Sequence, residues 1–101
     1  MDARIDQIIE RLKDVYDPEI PVNIYDLGLI YNIDVDETNK ASIIMTLTAP
    51  GCPVADVLLE DVREAAIAVD SVEACDVELV FDPPWDKSMM SEEARLELGF
   101  F

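Results

Sequence analysis

Two cysteines and a group of loop carboxylates are the side chains of this sequence best suited to chemistry. Cys52 follows Gly51 and precedes Pro53. Because proline is favoured at the first position of a helix, this order predicts Cys52 as a helix N-cap. The positive end of the helix dipole there favours the thiolate, the form of cysteine that attacks electrophiles and binds metals. Cys52 is therefore the candidate reactive thiol, and a small buried residue is the alternative.

Cys75, in contrast to Cys52, is predicted to be buried and unreactive. It alternates in step with Val77, Leu79 and Phe81, which places all four on one face of a strand. Cysteine is among the most frequently buried residues, so we expect Cys75 to pack in the core and to stay unreactive.

Three carboxylates, Asp17, Glu19 and Asp26, lie in one loop that begins around Pro18. A carboxylate about 4 Å from a thiolate costs it about 4 kcal/mol at an effective dielectric of 20, whereas an exposed helix end contributes only about 0.3–1 kcal/mol. A cation such as iron would stabilise thiolate and carboxylates together. Cys52, Asp17 and Glu19 are thus candidate ligands of a cation such as iron. The alternative is that these carboxylates only solvate the loop.

Composition excludes several classes of site. The chain has no histidine, which excludes Ser-His-Asp and Cys-His hydrolase arrangements and imidazole metal sites. Two cysteines are too few for a four-thiolate site, so a cluster needs a second subunit, a partner protein or other ligands. The net charge of −16 repels nucleic acid. Such charge serves solubility, or attracts a basic partner or a cation.

Length and patterning predict one soluble domain. At 101 residues the chain is long enough for one core, and we expect a single domain over residues 1–101. No apolar run approaches the roughly 20 residues of a membrane helix. The first six residues do not resemble a signal peptide. A reducing, cytoplasmic location without membrane partners is the expectation.

Hydrophobic periodicity predicts the order helix, strand, strand, helix, strand, short helix. This order is typical of a two-layer α+β domain in which helices cover one face of a small mixed sheet of about three strands. The first helix should end near Tyr16, and the second should end near Asp70. Ser91 is suited to cap the last helix and Gly99 to end it. The inward strand positions are Leu29, Tyr31, Ile33 and Val35, then Ala41, Ile43, Met45 and Leu47, then Cys75, Val77, Leu79 and Phe81.

This order brings three loops to one edge of the sheet. In an antiparallel hairpin the loop at residues 17–28 must approach residues 48–52, which places Thr48 beside Cys52. A right-handed crossover makes the third strand parallel to the second, so its exit at residues 83–85 reaches the same edge. Gly28 is expected to meet a backbone requirement. Trp85, with Met89 and Met90, is expected to pack, and a lid or a partner-docking patch is the alternative.

Several motifs resemble the metal-sulfur cluster assembly family that includes SufT and PaaD-like proteins, also called the FSCA domain. The motifs are Asp17-Pro18-Glu19, Asp26-Leu27-Gly28-Leu29-Ile30, Thr46-Leu47-Thr48-Ala49-Pro50-Gly51-Cys52-Pro53 and Pro83-Pro84-Trp85. Each motif is weak alone, but four in order across nearly the whole chain are fairly specific.

The resemblance implies an α+β domain that acts in iron-sulfur cluster maturation, with assembly proteins and client apoproteins as partners. It implies a pocket of Asp17, Pro18, Glu19, Asp26, Thr46, Thr48, Gly51 and Pro53 around Cys52. It also implies that no cofactor is permanently bound and that iron or a cluster is held transiently, across a homodimer or with a partner.

PaaD proteins, which serve phenylacetate degradation, typically carry a cysteine-bearing C-terminal extension. This sequence ends at Phe101 without one, which favours the SufT-like role. A carrier that is not an enzyme is the leading interpretation. A thiol-dependent enzyme and an acidic adaptor without a metal role are the alternatives.

Overall fold

The computed structural model describes residues 3–17, 22–47 and 55–99. The elements follow the predicted order. They are α1 (Ala3–Leu12), β1 (Ile30–Val35), β2 (Lys40–Met45), α2 (Ala55–Ile67), β3 (Ala74–Leu79), a 3-10 turn (Lys87–Met89) and α3 (Glu92–Leu98). Within these ranges, no helix combines the length and apolarity that a membrane crossing requires.

The three strands form one mixed sheet in the order β1-β2-β3. β1 is antiparallel to β2, and β3 is parallel to β2, as the sequence predicted. The turn between β1 and β2 is closed by Asp36, whose carboxylate accepts hydrogen bonds from the Thr38 hydroxyl and from the backbone N–H groups of Thr38 and Lys40. These bonds, the Thr38 hydroxyl first, lower the pKa of Asp36 and fix the register of the hairpin.

One face of the sheet carries the core. The predicted inward residues of the second strand, Ala41, Ile43, Met45 and Leu47, are all buried. α1 and α2 cover this face with buried apolar side chains: Ile8, Leu12, Leu58 and Val62. The other face is polar, because its positions include exposed Asp34, Ser42 and Asp76. The two-layer α+β architecture is therefore confirmed.

The predicted ends of two helices were wrong by four and three residues. α1 ends at Leu12 rather than near Tyr16, because Ile24 N–H donates to the Val15 carbonyl and draws this segment into extended pairing. α2 ends at Ile67 rather than near Asp70.

The inward placement of Phe81 was also wrong, since its side chain is 45% exposed. The last register pair of the parallel ladder joins Met45 to Leu79, and Val80 N–H makes the final bond to the Met45 carbonyl. Phe81 lies beyond that point and has no neighbour in β2, so the alternation of the strand no longer predicts burial there.

A bulge changes which residues of β1 face the core. The register shifts between Ile30 and Asn32, so Ile30 pairs with Met45 and packs against the core. The predicted inward position of Tyr31 was therefore wrong. Its hydroxyl donates instead to the Pro83 carbonyl at 2.6 Å. An extra residue in one strand reverses the alternation beyond it, which period-two reasoning cannot anticipate.

Candidate functional site

The edge of the sheet where β2 ends is built by segments distant in sequence. Thr46 N–H donates to the Leu29 carbonyl at 2.8 Å, which holds the start of β1 against the end of β2. The Trp85 indole N–H donates to the Leu27 carbonyl at 2.7 Å and brings the segment after β3 to the same place. Two of the three segments predicted to converge therefore meet. The third, residues 48–52, lies outside the described residues.

Six predicted site residues are not among the described residues: Pro18, Glu19, Thr48, Gly51, Cys52 and Pro53. The N-cap position of Cys52 and its approach to Glu19 remain predictions. Asp17, Asp26 and Thr46 are described, and each has a different environment.

Asp26 holds the loop together. Its carboxylate accepts a hydrogen bond from the Asn23 side-chain amide at 2.8 Å, and its backbone N–H donates to Asn23 Oδ1 at 2.9 Å. Its carbonyl accepts from Ser91 N–H at 2.7 Å, which joins the loop to the N-terminus of α3. The described contacts of Asp26 therefore organise backbone around the site.

Asp17 is buried, with only 9% of its surface exposed. Its backbone N–H donates to the Val22 carbonyl at 3.4 Å, which closes the loop on itself. A carboxylate removed from water needs hydrogen-bond or cationic partners to remain charged. This burial disagrees with the interpretation of Asp17 as a carboxylate that only solvates a loop.

Thr46 carries a buried hydroxyl for which the structure shows no hydrogen-bond partner among the residues it describes. The residue is 1% exposed and directly follows β2. Leaving a buried hydroxyl unpaired costs about 1–3 kcal/mol. Thr46 lies six residues before Cys52 in the sequence. The sequence named Thr46 but could not distinguish it from an ordinary strand residue.

Sequence reasoning missed the role of Tyr31, which ties β1 to the segment after β3 through Pro83. No sequence signal marks it, because its position depends on the bulge. Gly28 does meet the expected backbone requirement, with φ of +83°. Trp85 packs partly buried against the core, as expected.

Cys75 is a core residue, as predicted. It is 6% exposed, and its Sγ lies 3.7 Å from the Asp76 carbonyl, to which it donates. Burial raises the pKa of the Cys75 thiol to about 11; the Asp76 carboxylate adds to this, and Arg63 opposes it. The residue therefore stays protonated and unreactive near neutral pH.

Alkylation should separate the two cysteines. A thiol whose pKa rises from 9.0 to about 11 has about 100-fold less thiolate at neutral pH. We expect iodoacetamide to modify wild-type protein once, at Cys52, and Cys52→Ser to react only after unfolding in urea. Peptide mass mapping locates the modification. Rapid modification of Cys75 in folded protein would contradict its place in the core.

The described part of the chain does not hold a preformed metal site by itself. Within residues 3–17, 22–47 and 55–99, His, Cys, Asp and Glu side chains form no group of three or more able to hold a metal. Of the candidate ligands Cys52, Asp17 and Glu19, only Asp17 lies in these ranges.

Comparison with known proteins identifies the family. The model of the iron-sulfur cluster assembly protein family matches residues 5–79. An Fe-S protein maturation auxiliary factor of Porphyromonas gingivalis is 56% identical over 94% of this chain and 90% of its own length. The factor YitW of Bacillus subtilis is 39% identical over 97% of this chain and 96% of its own.

A solved structure agrees in fold. A domain of unknown function from Bacillus anthracis matches with a TM-score of 0.90 and 39% identity, over 98% of this chain and 94% of that one. The match spans the sheet, the helices and the converging segments together. This chain belongs to the iron-sulfur cluster assembly protein family.

Proposed function

We propose that this protein is an auxiliary maturation factor that holds iron or an iron-sulfur cluster transiently through Cys52 and passes it to client apoproteins. Family membership supports the general role, since the two relatives compared above are named Fe-S protein maturation auxiliary factors. The observation that supports a site at this edge of the sheet is the buried hydroxyl of Thr46, which has no hydrogen-bond partner among the described residues. The buried carboxylate of Asp17 is the described member of the candidate ligand set. The segment of Cys52 begins two residues after Thr46.

The ligand set explains why holding is transient. Cys52, with Asp17 and Glu19, supplies one thiolate and two carboxylates, fewer soft ligands than a stable cluster requires. A second subunit or a partner completes the coordination and can remove the cargo. The remaining residues of the predicted pocket are Pro18, Asp26, Thr46, Thr48, Gly51 and Pro53.

The charge of the protein fits this role in the cytoplasm. A net charge of −16 raises the encounter rate with basic assembly proteins and apoproteins and suppresses association with nucleic acid. The partners of the site are thus proteins, and its cargo is cationic iron or a cluster.

Paired cysteine variants test the proposal. We expect Cys52→Ser to abolish anaerobic activation of an iron-sulfur client enzyme, with far-ultraviolet circular dichroism unchanged. Cys75→Ser is the matched control and should retain activation, because its thiol is buried. Anaerobic addition of ferrous iron and sulfide should produce thiolate-to-iron charge-transfer absorption in wild type and Cys75→Ser but not in Cys52→Ser.

The same measurements distinguish the alternatives. Full activation by Cys52→Ser would identify an adaptor whose cysteine is incidental. If Cys52→Ser loses client activation and wild-type protein shows no charge-transfer absorption, the protein is a thiol-dependent enzyme instead of a carrier.

A further inference from the structure

Along the outer edge of β1, backbone groups have no strand partner among the residues that the structure describes. Asp36 N–H donates to the Lys40 carbonyl, and the register pairs Asp34 with Ser42. Because the bonding direction alternates along an antiparallel strand, these residues direct their N–H and C=O groups towards β2. Ile33 and Val35 direct theirs the other way. In the described sheet no strand lies on that side of β1.

An apolar groove of about 220 Å³ follows this edge. Tyr31 and Asn32 line it together with five apolar or aromatic side chains: Ile5 and Ile9 of α1, Ile30 and Ile33 of β1, and Tyr25. Those five side chains are half-buried. The groove and the free backbone edge together provide what an added strand needs, which is main-chain hydrogen bonds and pockets for alternate side chains.

The charges around the groove are mainly negative. Asp6 and Glu10 are exposed on α1, and Asp34 is exposed on the open face of the sheet. The nearby cations are already engaged. Arg4 donates to the Asp36 carbonyl and to Asn39 Oδ1, and the Lys13 ammonium lies 5.7 Å from the centre of the Tyr25 ring. A second copy is a poor occupant, because each chain carries a net charge of −16.

We propose that the β1 edge binds an extended segment of a partner protein, in which apolar and basic residues alternate, as a fourth strand. Successive side chains of that strand point to opposite faces. One set enters the groove beside Ile9 and Ile33, and the other lies over the open face beside Asp34. The proposal is independent of the cysteine chemistry, since no residue of the edge belongs to the candidate site.

A short peptide of defined sequence tests this binding. The probe is acetyl-Val-Lys-Val-Lys-Val-Lys-amide, titrated into isotopically labelled full-length protein and followed by amide NMR. We expect saturable shifts at Ile33 and Val35, with slower hydrogen exchange of their N–H groups. The same peptide with glutamate in place of lysine should not bind. Methylating alternate peptide N–H groups should abolish binding in one of the two possible registers and spare the other.

Paired variants locate the surface. Ile9→Lys places charge in the groove and should weaken binding about tenfold or more, the effect of losing one buried aliphatic contact. Val57→Lys changes an exposed apolar residue of α2 and should leave binding within about twofold. Asp34→Lys, at an exposed position, should weaken binding and reduce its salt dependence.

Three outcomes would overturn the proposal. The first is equal binding of the lysine and glutamate peptides, and the second is chemical shift changes centred away from β1. The third is a dimer in sedimentation whose Ile33 and Val35 N–H groups are already protected from hydrogen exchange without peptide. Client activation tests Cys52, whereas peptide binding tests the β1 edge. Loss of activation in Cys52→Ser with intact peptide binding would therefore support both proposals, and either one can fail without the other.

Discussion

Gly28→Ala is expected to destabilise the protein by at least about 3 kcal/mol. Gly28 has φ of +83°, a conformation that L-residues adopt at a cost of about 1–2 kcal/mol. A Cβ at this position would also lie 2.7 Å from the Met89 carbonyl carbon and 2.9 Å from Met89 Cβ. Backbone cannot yield as a flexible side chain does, so either the loop or the Met89 turn must move. Urea unfolding followed by circular dichroism measures the loss.

Gly99→Ala is the matched control, because Gly99 has nearly the same backbone angle, with φ of +79°, but open space around it. It ends α3, and we expect a cost of only about 1–2 kcal/mol from the conformation itself. Equal losses of unfolding free energy in the two variants would mean that a Cβ at position 28 does not clash with the turn at Met89. The converging segments would then be packed more loosely than the structure indicates.

Ile43→Ala is expected to cost about 2–5 kcal/mol of unfolding free energy. Ile43 is 1% exposed at the middle of the central strand, opposite Ile33 and beside Val77. Removing three methyl or methylene carbons leaves a cavity that a strand held on both sides cannot close. The midpoint of urea unfolding should fall while the slope with urea stays unchanged.

Ile44→Ala is the adjacent control on the opposite face, where the side chain is only half-buried. We expect a cost below about 1 kcal/mol, since less apolar surface returns to water. A cost equal to that of Ile43→Ala would show that the second face of the sheet is also covered in solution. That result would contradict the two-layer architecture.

Much of the fold was predictable from sequence because its signals are local. The alternation through Ala41, Ile43 and Met45 marks a half-buried strand without reference to any partner. Ser91 accepts a hydrogen bond from Ala94 N–H and Gly99 adopts φ of +79°, so both caps of α3 are confirmed. The parallel placement of β3 follows from the handedness of crossover connections. The candidate role of Cys52 comes from its neighbours in sequence and still awaits the cysteine variants.

Only the tertiary structure decided the features that depend on neighbours distant in sequence. The bulge that turns Tyr31 out of the core arises where β1 must match the end of β2. The burial of Asp17 and of the Thr46 hydroxyl, which has no partner among the described residues, depends on the tertiary packing around them, and a residue's own neighbours in sequence do not encode it. Phe81 continues the alternation of β3 but lies beyond its partner strand and is exposed. Periodicity reports which side a residue faces, whereas packing determines whether anything lies there.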